Sequence, residues 1–389
     1  MKRLFRKIHL WLAAPFGLVI SIVCFTGAIL IFEDELTEMA APSKYKIDRI
    51  AGNALSIDSL AHIVAGTLPE DVSVTGVTVS DNPHEPYRVN ISQPRHACVL
   101  IDQYTGEIKG SHKRGPFFST VFKLHRWLLD SGKPEGRPAW GKMIVGVSTI
   151  MFVIVLLSGL VLWIPRSRKA LTESLKIITG KNRFRLWRSL HVAGGMYAIV
   201  LLLAMALTGL TWSFSWYRSA FYGIFGVELA SDSGGHGNKG GGHGRNGNNS
   251  HEAGDRKRDG HRQRGNVTTA SWQKVYDRLN DANPHAAKIT VGNGTASVSY
   301  NRAGNSHASD KYEFDKRTGA ITSVTKYSDS TGANKMRGWI YSVHTGAFAG
   351  LPTRILWFLA ALLGASLPLT GYYLWIRRIK RRQRKELAG

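Results

Sequence analysis

His9, His125, His191 and His344 each stand at the end of a membrane-length apolar segment, and two of them recur in the same phrase. Leu4 to His9 reads L-F-R-K-I-H, and Leu186 to His191 reads L-W-R-S-L-H. A Thr-Gly pair follows at the same offset in both cases, Thr26-Gly27 and Thr208-Gly209. His125 and His344 close the phrases V-F-K-L-H and I-Y-S-V-H ahead of the second and fourth apolar segments. Neutral imidazole is the commonest side-chain metal ligand, and imidazoles paired across helices can fill both axial positions of a haem iron. Such a site moves single electrons and has no open position for oxygen or substrate. The sequence contains no C-x-x-C-H, so any haem is expected to be held without covalent attachment.

The elements that must position these residues are four apolar runs, Ile8–Phe32, Gly141–Ile164, Val192–Phe214 and Ile355–Ile376. Each is long enough for a helix to cross a hydrocarbon core of about 30 Å. The first is not expected to be cleaved as a signal peptide, because Glu33, Asp34 and Glu35 follow it where small residues would be needed. A formal charge of +24 would suggest nucleic acid in a soluble chain. Its placement argues otherwise. The segments before span one, between spans two and three and after span four hold nineteen Lys or Arg against Glu173 and Glu386. With four spans these segments share one side, and the positive-inside rule makes that side cytoplasmic, with both termini there. The charge then faces lipid headgroups, and no nucleic-acid partner is expected.

The expected order is therefore a first span (1–32), an outer segment (33–139), a second span (140–164), a basic inner loop (165–186), a third span (187–216), a second outer segment (217–353), a fourth span (354–376) and a basic tail (377–389). Each outer segment starts with a helical pattern and continues in alternating strands. In the first these are Ile57–Leu68, then Val72–Ser80, Tyr87–Ser92 and Ala97–Asp102. In the second they are Ser271–Ala282, then Lys288–Val291, Ala296–Tyr300 and Lys311–Asp315. Both copies end in a D-x-x-T-G turn, at Asp102–Gly106 and Asp315–Gly319, where Gly supplies a positive φ. The recurrence reads as an internal duplication. Residues 231–265, rich in Gly, Asn, Arg and His, read as a disordered linker. Its histidines leave metal binding as an alternative reading, although nothing there would hold ligands in geometry. Cys24 and Cys98 are too far apart in the scheme to pair with each other.

This pattern, a histidine-started span, an outer α+β (βαββ) domain closing on D-x-x-T-G, then a second histidine and span, all repeated, resembles the PepSY-associated transmembrane family. The likeness covers nearly the whole chain apart from the Gly/His-rich linker. Members include iron-regulated inner-membrane proteins and ferric-siderophore reductases of Gram-negative bacteria. In the reductases, histidines at these positions carry two b-type haems, so the resemblance implies two haem b, one on His9 and His191 and one on His125 and His344. It also implies a bacterial inner-membrane location, periplasmic PepSY-like domains and a ferric siderophore as electron acceptor. Some relatives carry a fused flavin domain; the inner loop and tail here are expected to be too short for one. The electron donor is open between quinol, reduced flavin and a cytoplasmic reductase. A second reading makes the chain a haem-free, membrane-anchored binding module, since PepSY domains elsewhere are linked to peptidase control.

Topology sets the pairing independently of the resemblance. His9 and His191 begin spans that enter from the cytoplasm, whereas His125 and His344 precede spans that run inward from outside. From His9 to Gly27 a helix rises roughly 27 Å, leaving a gap on the order of 10 Å between two macrocycles. Gly27 and Gly209 are expected at the depth of the outer haem, Gly159 and Gly371 at that of the inner one, where they would admit the porphyrin. The alternative is that these Ser/Thr-Gly pairs simply let helices pack closely. Ala13 and Gly195 would clear room at the inner site. Arg6 and Arg188 are candidates for the inner propionates, Arg126 and Arg137 for the outer ones. Trp11, Trp127, Trp163, Trp187, Trp212 and Trp375 mark the interfaces, and Trp127 is a candidate to pack on the outer haem.

Overall fold

Apolar run length decides the helices before any tertiary contact does. The computed structural model describes residues 2–50, 52–94, 96–130, 139–165, 167–180, 182–228, 269, 271–300 and 303–387. The linker at 231–265 and Arg137 therefore lie outside the described residues. Four helical stretches among them are long and apolar enough to cross a membrane: Lys2–Ile31, Trp140–Trp163, Arg183–Ser213 and Leu351–Arg384.

The elements used below, in chain order, are α1 (Lys2–Ile31), α2 (Ile57–Ala65), α3 (Pro116–Trp127), α4 (Trp140–Trp163), α5 (Gly195–Ser213, preceded by Arg183–Ser189 and a π turn), α6 (Trp272–Ala282), α7 (Gly332–Thr345) and α8 (Leu351–Glu386). α1 packs on α4 and α8, and α5 packs on the same two helices. Ile20, Phe152, Leu156, Ala198, Leu202, Ala206, Ala360 and Leu367 fill the space between them. Close approach has identifiable causes. Ser21 Oγ donates to the Ala365 carbonyl at 2.8 Å. A side chain at Gly364 would come within 2.7 Å of Leu202. Leu18, Phe25, Val200 and Leu359 point outward and exposed, as lipid-facing residues of a bundle do.

Beyond the bundle lies one antiparallel sheet of eight strands, in the order β4-β3-β2-β1-β5-β6-β7-β8. β1 (Val74–Ser80), β2 (Tyr87–Ile91), β3 (Cys98–Ile101) and β4 (Ile108–His112) come from the first extramembrane segment. β5 (Lys288–Gly292), β6 (Thr295–Ser299), β7 (Ser309–Phe314) and β8 (Ile321–Thr325) come from the second. Each half thus has a fourth strand that the alternation did not predict, and the helix precedes all four. Among the described residues no strand precedes α2 in the first segment or α6 in the second, so each runs αββββ and not βαββ.

The two outer α+β units share a single sheet. β1 pairs with β5, with Gly76 opposite Gly292. A Cβ at Gly76 would lie 2.7 Å from the Val291 carbonyl oxygen, so the halves meet where side chains are missing. One apolar core then serves both: Leu60 and Val64 of α2, Val275 and Leu279 of α6, Val77, Val89, Val291, Val298 and the fully buried Trp272. The two helices cap each other, the Ile57 N–H donating to Gln273 Oε1 at 2.7 Å and the Gln273 N–H to Asp58 Oδ2 at 3.3 Å.

The two D-x-x-T-G turns form as their residues dictate. Asp102 Oδ1 accepts from the N–H of Tyr104 and Thr105, and Asp315 Oδ1 from those of Arg317 and Thr318. Gly106 and Gly319 take φ of 75° and 69°, the left-handed region that costs glycine nothing. These turns join β3 to β4 and β7 to β8.

Candidate functional site

His9 lies in the second turn of α1, and His191 lies in the π turn Leu190–Gly194 that precedes α5. Their ring centroids are 6.3 Å apart with planes at 86°. His125 and His344 sit on α3 and α7, short helices that deliver them to the other end of the bundle. Their centroids are also 6.3 Å apart, with planes at 60°. The helices that carry them stop abruptly. Leu128 and Leu129 end α3 with φ of 50° and 68°, and Gly346 ends α7 at 74°. Positive φ at two consecutive leucines is strained, a cost usually found beside a functional site.

All four imidazoles are held alike. His9 Nδ1 donates to the Val155 carbonyl at 3.1 Å and lies 3.0 Å from Ser158 Oγ. His191 Nδ1 makes the same pair of contacts with Leu367 (3.1 Å) and Thr370 (2.9 Å). For His125 the partners are Val23 (2.9 Å) and Thr26 (3.3 Å), and for His344 they are Met205 (2.9 Å) and Thr208 (3.1 Å). In each case the hydroxyl itself donates to that same carbonyl three residues upstream. A carbonyl only accepts, so the ring proton resides on Nδ1 and Nε2 keeps its lone pair. Among the described residues Nε2 has no hydrogen-bond partner on any of the four. A ligand histidine typically has this arrangement, with one nitrogen fixed by a second-shell acceptor and the other free for a metal. Burial lowers the pKa of His125 and takes that of His344 to about 4, which keeps both neutral.

The centroid spacing tests the fit of a metal between each pair. With metal–nitrogen bonds of about 2 Å and about 1 Å from nitrogen to ring centre, two opposed imidazoles place their centroids about 6 Å apart. Both pairs match. Among the described residues no cluster of three or more His, Cys, Asp or Glu side chains could hold a metal; the four histidines stand as two pairs. Two axial imidazoles are what a bis-histidine haem requires.

The glycines are next to the histidines. A Cβ at Gly27 would lie 3.0 Å from His125 Cε1, and one at Gly209 3.1 Å from His344 Cε1. The corresponding distances are 3.4 Å for Gly159 to His9 and 3.4 Å for Gly371 to His191. Each glycine therefore admits the edge of an imidazole. The adjacent Ser or Thr, which the sequence reading treated only as a packing partner, is the residue that holds Nδ1. Gly195 faces Leu367 of α8 at 3.5 Å, so it too answers to a neighbouring helix. The π turn at His191 carried no recognisable sequence signal; such turns recur at functional sites.

Charged and aromatic neighbours are placed unevenly. Arg6 and Arg188 are exposed near the inner pair. Arg126 is half-buried beside His125, and burial lowers its pKa to about 10. Trp127 packs edge-on against Phe122 at 5.7 Å. The indole seated on the outer pair is Trp212, 5.1 Å from the His344 ring and nearly perpendicular to it; sequence position had marked it only as an interface residue. Two ion pairs brace this end: Arg114 to Glu33 at 2.6 and 2.9 Å, and Arg354 to Glu35 and to the Ile31 carbonyl.

Four spans, two imidazole pairs near their opposite ends and one extramembrane sheet define a multi-pass membrane protein with a built site at each end of its bundle. The family model for the PepSY-associated TM region matches residues 6–378, and the chain belongs to that family. No curated protein matches the chain.

Proposed function

We propose that the chain is a membrane oxidoreductase that holds two non-covalent b-type haems and passes electrons from the basic end of the bundle to an acceptor at the sheet end. The observation that carries this reading is the pairing of the four histidines at 6.3 Å, each with Nδ1 engaged and Nε2 free. His9 and His191 would hold the inner haem, and His125 and His344 the outer one. When bound, each haem supplies a one-electron carrier with both axial positions filled. Ser158, Thr370, Thr26 and Thr208, with the carbonyls behind them, orient the imidazoles and fix the tautomer that coordinates. Gly159, Gly371, Gly27 and Gly209 leave space for those rings. The basic segments support an orientation with the inner pair on the cytoplasmic side of a bacterial inner membrane and the sheet in the periplasm.

The acceptor we favour is a ferric siderophore. Its hard oxygen donors hold ferric iron better than ferrous, so a single electron loosens the metal and no acid, base or nucleophile is needed. This choice rests on family likeness and not on the site. The donor class is quinol, reduced flavin or a cytoplasmic reductase.

An absorption spectrum of the detergent-purified protein tests the cofactor. A sharp Soret band and a reduced α-band, at about two haems per chain, are expected. His9→Ala and His344→Ala should each remove one haem and leave the other. A colourless preparation, or four single histidine variants with unchanged haem content, would overturn the reading in favour of a haem-free binding module. Reoxidation of the reduced protein by ferric chelates then tests the acceptor.

A further inference from the structure

The outer pair has a charged neighbour for which the described residues supply no counter-ion. Arg126 follows His125 on α3, half-buried, with its guanidinium 5.5 Å from the Trp127 ring. Among the described residues it has no carboxylate at ion-pair distance and no hydrogen-bond acceptor. Two other guanidiniums at this end are already matched, Arg114 by Glu33 and Arg354 by Glu35. Taking a cation out of water without a counter-ion is strongly destabilising. An anion supplied from outside the chain would complete the arrangement, and the site adjoining Arg126 on α3 is that of His125, paired with His344. The inner pair differs, because Arg6 and Arg188 are exposed there and screened by solvent ions.

We propose that Arg126 binds a carboxylate of the porphyrin held by His125 and His344, and that this pairing raises the reduction potential of the outer site above that of the inner one. The inference rests on the dihaem reading. A guanidinium meets a carboxylate through two parallel N–H···O bonds. Neutralising a carboxylate near the iron favours the reduced, less positive state, and the low dielectric around α3 screens that effect weakly. Transfer from the inner to the outer site is then downhill.

Redox titration of the full-length protein in detergent, followed in the α-band, tests this. In Arg126→Gln one midpoint potential falls, the other stays, and the shifted haem is the first lost on dilution. Arg126→Lys recovers part of the shift and serves where Arg126→Gln does not fold. A second arm reconstitutes the protein with haem whose carboxylates are methyl-esterified; there wild type and the variants give equal potentials. Unchanged potentials and retention in Arg126→Gln, or an undiminished effect with the ester, would mean that Arg126 serves another anion such as the acceptor, and would overturn the proposal. A wild-type preparation without haem removes the dihaem reading itself, whereas two unshifted haems remove only this inference.

Discussion

Gly27 and Gly159 neighbour imidazoles in the same way but at different clearances, and the difference has a consequence. At 3.0 Å a Cβ on Gly27 would push His125 aside, while at 3.4 Å one on Gly159 meets His9 in ordinary contact. Overpacking of this kind costs about 1–3 kcal/mol. Gly27→Ala and Gly209→Ala should therefore lower haem content at the outer site. Gly159→Ala and Gly371→Ala should leave the inner site close to wild type. The ratio of haem to protein after size-exclusion chromatography reads this directly, and equal losses in all four variants would contradict the clearance argument.

Short helices carry His125 and His344, and the acidic first turn of the helix Glu33–Ala40 ties them to the bundle. Arg114 precedes α3, Arg354 opens α8 just after α7, and both reach back to Glu33 and Glu35. The hydrogen-bonded Arg354 guanidinium holds the Glu35 carboxyl below its ordinary range. A depressed carboxylate contributes stability that is present above its unfolded pKa and lost as pH falls through the folded one. Glu35→Gln should thus melt below wild type at pH 7, and the gap should close as pH drops under about 4. The carboxylate is 41% exposed, so the gap is small and shrinks with added salt. A difference that persists unchanged at pH 3 in thermal melts would sink the argument.

At the scale of the molecule, the two extramembrane segments stand or fall together. β1 and β5 are hydrogen-bonded across the halves, and Leu60 and Leu279 share one core. Truncating Leu279 to Ala should cost about 2–5 kcal/mol. Because the core is common, amide hydrogen exchange should accelerate in β2 and β3 as well as in β6 and β7. Faster exchange confined to β5–β8 would mean two independent domains.

Contiguous features were legible in the chain itself. Four spans follow from unbroken apolar length, the D-x-x-T-G turns from an Asp side chain reaching its own following amides, and the placement of the four histidines from their positions at span ends. What the residues could not announce depends on partners far away in sequence. The pairing of Gly76 with Gly292, the hydroxyls that hold each Nδ1 and the indole of Trp212 on His344 all arise where separate helices or strands meet. Local patterns determine which element forms and where it lies in the bilayer; only packing decides which side chain each element presents to its neighbour.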